Sequence, residues 1–358
     1  PANWLSARLN DGWAYRDRPG AAASSIAAWY AVRYPHSDLI VWGERLAAGQ
    51  IWRNGQQLWG DGPLAAGDRL VWHRSPWQEA AVPVLPSPLF DDGDLVVFNK
   101  PSGLQVLPAG GFLRHTVLGQ LEAQGSAARP VHRLGRFTSG LLVCARSRAA
   151  RAHLSAQLRD STVDVSRPKD TGFARNSSES GDPIGDCDAL KKHAKTLACF
   201  LTGPEKIYRA LLRPPQEGSP LLGLGLGQSL TIDTPIGRRP HPRLGSIWCA
   251  AALSPDALAA RSRFTLLEVR AEGWLFAVAI ATGRPHQIRI HAAAAGAPLL
   301  GDPLYVPGGL AGPDALPGVG GYRLHAHRFS LSTPDGRALQ LQAPLPPELE
   351  CAGDRSDD

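Results

Sequence analysis

The feature that most constrains the fold of this 358-residue chain is a set of short apolar segments with the length and composition of buried strands. Residues 94–101 (DLVVFNKP) and 138–145 (TSGLLVCA) each predict one strand, and residues 264–281 (FTLLEVRAEGWLFAVAIA) predict a hairpin that turns at 271–273. Residues 146–160 predict an amphipathic helix. Because these elements follow no regular β–α–β order, the sequence predicts an α+β fold with a mixed, largely antiparallel central sheet flanked by helices.

A smaller unit precedes these segments. Residues 24–34 have a helical pattern, and residues 43–74 alternate like short strands that break at Asn54-Gly55 and at Gly67-Asp68. The segments GQIWRNG and GDRL resemble the ending of the RNA-binding S4 module, although a unit of packed strands and turns fits the same pattern. The predicted divisions of the chain are an S4-like module with its leader at 1–80, a proline-rich linker at 81–93, a large domain at 94–350 and a tail at 351–358.

The large domain is interrupted by a stretch of different composition at residues 164–204. Four of the six lysines of the chain fall within it, and serine, asparagine and aspartate also become more frequent there. Removing it would join the predicted helix directly to a strand that begins near residue 206. We interpret the stretch as an insertion, and the alternative is a flexible lid over a cleft.

The charge of the chain favours an anionic partner. The net charge is +6 and the sequence pI is near 9.3, and almost all of the basic residues are arginines. Arginine suits bidentate contacts with phosphate and stacking on bases. Because many soluble proteins are equally basic, this composition favours RNA as a partner without requiring it.

The cysteines and the apolar content bear on the cellular setting. The cysteines show no spacing typical of a metal site, no apolar run reaches the roughly 18 residues of a membrane span, and the first residues lack the apolar core of a signal peptide. We therefore expect a cytoplasmic monomer that binds neither a membrane nor DNA. The cysteines are Cys144, Cys187, Cys199, Cys249 and Cys351.

The first segment that indicates chemistry is residues 130–140, PVHRLGRFTSG. Two arginines, a histidine and two hydroxyl groups at the mouth of a strand can grip a sugar–phosphate backbone. The segment resembles the signature H-R-L-D-x-x-T-S-G of the RluA-type pseudouridine synthases, with Gly135 where that family has aspartate. The matching residues are His132, Arg133, Leu134, Thr138, Ser139 and Gly140.

The second segment is residues 282–291, TGRPHQIRIH, which predicts the start of a helix and therefore a place that attracts anions. It resembles the family pattern T-G-R-x-H-Q-I-R-x-H. The downstream family pattern P-x-x-G-D-x-x-Y is matched by Pro298, Gly301, Asp302 and Tyr305.

Further matches follow the family order. Residues 206–210 (KIYRA) resemble its K-x-Y-x-A strand and place Tyr208 at the position of the active-site aromatic residue. Weaker matches lie at 99–103, 324–326 and 343–346. The resemblance therefore spans about residues 94–347, apart from the predicted insertion.

The resemblance implies an enzyme that isomerises uridine to pseudouridine in structured ribosomal or transfer RNA, without a cofactor or a metal ion. It implies that Arg289 pairs with the catalytic carboxylate, that Tyr208 packs on the uracil and that Arg133 fills the space left by the turned-out nucleotide. The residues that it places against RNA are Lys100, His132, Arg136, Thr138, Arg284, His286 and Gln287.

The glycine at position 135 removes the carboxylate that such chemistry requires, and Arg289 is expected to face Gly135 without a partner. A neighbouring acid, Asp302, Asp160 or Glu122, can fill the gap, or the protein can be a catalytically silent RNA-binding protein. The HRLG form resembles a sub-branch that is still classed with the synthases, so the synthase is our main interpretation. A third interpretation is an enzyme that acts on small sugar phosphates.

Overall fold

The computed structural model describes residues 3–159, 206–251, 257–280 and 282–354. The predicted insertion at 164–204, together with Asp160, Cys187 and Cys199, lies outside the described residues. No helix in the described ranges is long and apolar enough to cross a membrane.

The N-terminal part consists of short strands around two helices. Its elements are β1 (Trp4–Leu5), β2 (Arg8–Leu9), β3 (Trp13–Asp17), α1 (Ile26–Arg33), α2 (Leu39–Ala47), β4 (Ile51–Arg53), β5 (Gln56–Gln57), β6 (Leu70–Arg74), β7 (Gln78–Glu79) and β8 (Val82–Pro83). The strands β3, β6, β4 and β5 form one sheet in that order. The predicted turn at Asn54-Gly55 joins β4 to β5, and both residues have positive φ, as a two-residue hairpin requires.

The leader and the linker are parts of sheets, which the sequence did not predict. Strand β3 pairs with β6, so residues before position 24 belong to the main sheet of the N-terminal unit. Strand β1 pairs with β8, which lies in the predicted linker. The core of the unit is aromatic, because Tyr30 stacks on Trp42 with ring centroids 4.6 Å apart and both side chains are fully buried.

The large domain contains the remaining elements. They are β9 (Phe90–Asp91), β10 (Leu95–Lys100), α3 (Val117–Ala123), β11 (Arg129–Pro130), β12 (Thr138–Ala145), α4 (Arg148–Arg159), β13 (Lys206–Leu212), β14 (Ser229–Ile232), β15 (Ile236–His241), β16 (Gly245–Ala250), β17 (Ser262–Val269), β18 (Trp274–Ile280), α5 (Gln287–Ala294), β19 (Tyr305–Val306), β20 (Leu310–Ala311), β21 (Leu324–Ser332) and β22 (Ala338–Gln342). Short 3-10 helices lie at Pro220–Gly223, Pro347–Leu349 and Ala352–Asp354.

A ten-stranded sheet forms the centre of this domain. The strand order is β14-β17-β18-β13-β21-β12-β10-β9, with β11 paired to β12 and β22 paired to β21. Strands β12 and β21 are parallel, and the other described pairs of this sheet are antiparallel. The predicted mixed, largely antiparallel sheet is therefore confirmed.

The predicted strands and helix of the large domain are confirmed locally. The apolar segments form β10, β12 and the β17–β18 hairpin, and Ser147 caps α4 by accepting a hydrogen bond from the backbone N–H of Ala150 at 3.1 Å. Helices α3, α4 and α5 contribute apolar side chains to one core with the sheet, including Leu121, Leu154 and Ile288. Burial of these side chains fixes the helices against the sheet and positions the loops between them.

Candidate active site

The sheet brings three of the predicted motifs next to one another. Ala326 on β21 lies between Gly140 on β12 and Tyr208 on β13 in one row of the sheet. Because neighbouring strands are about 4.8 Å apart, Gly140 and Tyr208 lie about 10 Å apart across Ala326. Gly140 has a φ of 97°, and a Cβ added there would lie 2.2 Å from the carbonyl oxygen of Ala326. The motif glycine therefore allows the close approach of β12 and β21.

The loop that carries the HRLG sequence is held at both ends. The imidazole Nε2 of His132 accepts a hydrogen bond from the backbone N–H of Val143 at 3.0 Å. Burial, and next the charge of Lys206, lower the pKa of His132 to about 3, so the ring is neutral and able to accept. His132 therefore supports the loop, and the contact with RNA predicted for it stays a prediction.

Arg136 and Lys100 fix the far side of the same loop. The Arg136 guanidinium donates to the carbonyl oxygens of Gly103 at 3.0 Å and Gly318 at 3.3 Å. The Lys100 ammonium is fully buried and donates to the carbonyl oxygens of Pro101, Leu104 and Arg136 at 2.9, 2.8 and 3.1 Å. Burial, and next the charge of Arg136, lower the pKa of Lys100 to about 7. The structure therefore contradicts a direct contact of Lys100 with RNA.

Replacing Lys100 with methionine is expected to lower the free energy of unfolding by about 3 kcal/mol, because buried carbonyl groups would lose their donor. Urea denaturation of the variant and the wild type measures the change. Lys206→Met is the matched control, since Lys206 is also buried but donates one hydrogen bond, to Leu158, within the described part of the chain. An equal or smaller effect of Lys100→Met would contradict the role assigned to Lys100.

His286 begins the helix that follows the second motif. It is the N-cap of α5, with a left-handed φ of 57°. The Tyr305 hydroxyl donates to the carbonyl oxygen of Trp248 at 2.8 Å, so Nδ1 of His286, 2.7 Å from the same hydroxyl, is the donor to it. Burial lowers the pKa of His286 to about 3. The charges of Arg289 and Arg133 act in the same direction, and the charge of Asp302 opposes them. The imidazole is therefore neutral, with Nε2 left as an acceptor.

Gln287 was also predicted to contact RNA, but it is buried and its amide is occupied. Its Nε2 donates to the Arg261 carbonyl oxygen and the Ser262 hydroxyl, and its Oε1 accepts from Thr282 and from the backbone N–H of Arg284. Gln287 therefore ties the start of α5 to β17. The half-buried Arg284 side chain donates to the carbonyl oxygen of Ala259 at 3.0 Å.

Arg289 has a carboxylate partner, which corrects the expectation that it lacks one. Its Nε and Nη2 donate to the two carboxylate oxygens of Asp302, both at 2.7 Å, and both side chains are buried. One oxygen of Asp302 also accepts a hydrogen bond from the backbone N–H of Leu304 at 2.9 Å. Asp302 was one of the three acids proposed to fill the gap, and it orients Arg289 from a fully buried position.

The other proposed acids do not reach this pair in the described residues. Glu122, at the end of α3, forms an ion pair with Arg129 at 3.5 Å. Asp160 lies outside the described residues. No group of three or more histidine, cysteine, aspartate or glutamate side chains in the described ranges is arranged to hold a metal ion.

Tyr322 occupies the space beside Gly135. A Cβ added at Gly135 would lie 2.2 Å from the Tyr322 hydroxyl oxygen and 3.3 Å from Oγ1 of Thr138. The Thr138 and Tyr322 hydroxyl oxygens are 3.4 Å apart, and the Arg289 guanidinium lies 4.2 Å from the centre of the Tyr322 ring. Tyr322 therefore joins the HRLG loop to the Arg289–Asp302 pair. The sequence analysis missed this residue, because an isolated tyrosine before the L-H-A match carries no pattern.

Tyr208 lies on the His132 side of the same region. It is buried, and its ring and that of His132 each lie 5.8 Å from the ring of Phe329. Burial raises the pKa of Tyr208 well above its usual range, so its hydroxyl stays protonated. The contacts of the described residues thus place Tyr208 near the HRLG loop, but they give no direct contact between Tyr208 and Arg289.

Arg133 differs from its neighbours because it is exposed. It donates no hydrogen bond and forms no ion pair among the described residues. Burial and the charge of Arg289 lower the pKa of His286 most, and the charge of Arg133 adds to their effect. A guanidinium near the start of α5 with no carboxylate partner there is suited to bind a phosphate group or a base.

The chain is similar in sequence to known proteins. A family model described as RNA pseudouridylate synthase matches residues 94–165. An uncharacterized RNA pseudouridine synthase of Synechocystis is 38% identical over 326 residues, covering 90% of this chain and 94% of that protein. RNA pseudouridine synthase 5 of Arabidopsis thaliana is 34% identical over 385 residues, covering 96% and 95%. The solved structure of human RNA Pseudouridylate Synthase Domain Containing 1 is 21% identical with a TM-score of 0.44, covering 74% of this chain and 86% of that one.

A mixed sheet that joins the HRLG loop, the KIYRA strand and the TGRPHQIRIH helix start defines a pseudouridine synthase fold. The chain belongs to the RluA-type family of RNA pseudouridine synthases.

Proposed function

We propose that the chain isomerises uridine to pseudouridine in structured ribosomal or transfer RNA, and that the uridine binds between the HRLG loop and the start of α5. The observation that carries the placement is that Arg133, Gly135, Arg289 and Asp302 come from three distant segments and are linked through Tyr322 and His286. In this reaction the bond from C1′ to N1 of the base breaks, and a bond from C1′ to C5 forms.

The proposed roles follow from exposure and charge. Arg133 is the exposed cation that binds the phosphate or fills the space of the turned-out base. Arg289 is buried and paired, so it acts as a fixed positive charge at the floor of the site. Tyr208 gives an aromatic surface on the β13 side. His286 offers Nε2 as an acceptor for a ribose hydroxyl or a base N–H.

The N-terminal unit supplies a second basic surface, and we propose that it holds RNA outside the reaction site, as an S4-like module would. Arg16, Arg18 and Arg69 are exposed beside β3 and β6. Trp13, at the other end of β3, is half exposed, and the Arg74 guanidinium lies 3.5 Å from the centre of the Trp77 ring. Arginines interleaved with aromatic rings can bind phosphates and stack on unpaired bases.

The test is to incubate the purified protein with total RNA from a strain that lacks it and to map pseudouridine at each position. We expect one or a few new sites in ribosomal or transfer RNA, and none with heat-denatured protein. Free uridine monophosphate, assayed in parallel, tests the interpretation that the protein acts on small sugar phosphates. If no RNA position gains pseudouridine, the proposed activity is wrong and the silent RNA-binding alternative takes its place.

A further inference from the structure

We propose that the Tyr322 hydroxyl is the nucleophile of the reaction and takes the chemical place of the carboxylate that position 135 lacks. This inference rests on the proposed function, since it names the group that performs the same reaction at the same site. Cleavage of a glycosidic bond leaves an electron-poor C1′, which an oxygen nucleophile can stabilise, and tyrosine serves in this way in some glycosidases.

The position of the hydroxyl is the first argument. The Tyr322 oxygen lies 2.2 Å from the point where the first atom of any side chain at position 135 would be, so a side chain there and the hydroxyl exclude each other. The next carbon of the ring, Cζ, is 3.5 Å from that point, which is an ordinary contact distance. The overlap therefore comes from the hydroxyl oxygen, and Gly135 is the residue that makes room for it.

The surroundings of the ring are the second argument. Tyr322 is 2% exposed and packs against the Arg289 guanidinium and the Phe137 ring, with the centroids of the two aromatic rings 5.9 Å apart. The backbone N–H of Gly321 donates to the Gly301 carbonyl oxygen at 3.4 Å, which ties Tyr322 to the turn that carries Asp302. These contacts hold the ring in place, with its hydroxyl oxygen beside Gly135.

Asp302 is a weaker candidate for the nucleophile. Both oxygens of Asp302 are bonded to Arg289, one also accepts from Leu304, and the side chain has no exposed surface. Because the Asp302 side chain is fully buried, C1′ of a bound nucleotide cannot reach its oxygens unless the surrounding residues move. Gly135, in contrast, is exposed and has no side chain, so the substrate can approach the Tyr322 hydroxyl across it.

The proposed step is balanced without another reactant. The Tyr322 oxygen bonds to C1′ as the C1′–N1 bond breaks, and the phenol proton goes to N1 of the departing uracil. The uracil then turns until C5 faces C1′. The C5–C1′ bond forms as the C1′–oxygen bond of the tyrosine breaks, and the proton lost from C5 returns to the phenol oxygen. The product is pseudouridine with a hydrogen on N1, and Tyr322 is regenerated.

The experiment compares Tyr322→Phe with the wild type on an RNA that the wild type modifies. We expect kcat to fall about 1000-fold or more, while RNA affinity measured by filter binding stays within about threefold, because only the nucleophilic oxygen is lost. Tyr30→Phe is the control. It removes a phenol hydroxyl that is buried in the N-terminal unit without a hydrogen-bond partner there, and we expect no loss of activity.

The double variant Gly135→Asp/Tyr322→Phe separates a chemical role from a structural one. Removing the hydroxyl leaves room for a side chain at 135, so the double variant should be at least tenfold more active than Tyr322→Phe. Gly135→Asp alone should be less active and less stable than the wild type, because its side chain overlaps the Tyr322 hydroxyl.

Each outcome decides the question. Retained activity in Tyr322→Phe overturns the inference. If that variant loses both activity and RNA affinity, rescue by the double variant supports the inference and failure of rescue overturns it. A wild type without activity on any RNA would instead refute the proposed function, which distinguishes the two failures.

Discussion

Replacing Asp302 with asparagine is expected to lower the free energy of unfolding by about 3–5 kcal/mol and to abolish pseudouridine formation. Asparagine has nearly the same shape but no charge, so Arg289 would remain buried with its positive charge uncompensated. The same change removes the carboxylate that holds the guanidinium against Tyr322, so the positive charge at the floor of the site would no longer be fixed in position. Urea denaturation measures the first effect, and pseudouridine mapping on a modified RNA measures the second.

The chain offers a matched control for this prediction. Asp91 accepts two hydrogen bonds from Arg146, both at 2.7 Å, in the same two-pronged geometry as the buried pair. The side chains of Arg146 and Asp91 are 32% and 37% exposed, however, so water can replace either partner. Asp91→Asn is therefore expected to cost about 1 kcal/mol or less and to leave activity unchanged. If the two variants lose equal stability, burial does not set the strength of the Arg289–Asp302 pair.

The central strands could be predicted from the sequence because their apolar runs are local and unambiguous. Strand β12 begins and ends at the residues that the pattern indicated, and the β17–β18 hairpin turns where predicted. The small strands β1 and β8 could not be predicted, since two-residue strands carry no periodicity and exist only through their partner. The predicted linker is for the same reason part of a sheet.

The sequence identified the motifs of the candidate site, but it did not show which of their side chains face the interior of the protein. A basic or amide residue in a motif can face RNA or tie a loop to the core, and the sequence does not distinguish these cases. Lys100 and Gln287 proved to be buried, and each is occupied by groups of the protein itself. The expectation that these two side chains contact RNA is therefore corrected. Lys100 holds the HRLG loop through the Arg136 carbonyl oxygen, and Gln287 holds the start of α5 against β17.

The partner of Arg289 and the occupant of the space at Gly135 depend on residues far apart in sequence. Asp302 lies within the downstream match, so it could be named as a candidate, but its pairing with Arg289 requires the turn at Gly301 to pack on Gly321. Tyr322 could not be found without coordinates, because its hydroxyl meets Gly135 only after β21 lies parallel to β12. The missing aspartate at 135 is therefore accompanied by a tyrosine that fills its place.

Replacing Arg133 with alanine is expected to reduce kcat/KM for RNA about 100-fold or more while leaving the melting temperature within about 1 °C of the wild type. Arg133 is exposed and has no hydrogen bond or ion pair among the described residues, so its removal costs no internal contact. Arg133 stands two residues before Gly135, so it lies on the loop that borders the space beside the Tyr322 hydroxyl.

Arg328→Ala is the matched control, because Arg328 is an exposed arginine on β21 that donates to Gln342 on the edge strand β22. We expect it to leave activity unchanged, so that loss of one surface charge is not itself the cause of the Arg133 effect. RNA affinity measured across a range of salt concentrations adds a second criterion. If Arg133 contacts a phosphate, the slope of log affinity against log salt concentration should decrease by about one in Arg133→Ala and not in Arg328→Ala. Equal salt dependence in both variants would place the Arg133 contact on the base rather than on the backbone, and unchanged activity would remove Arg133 from the site.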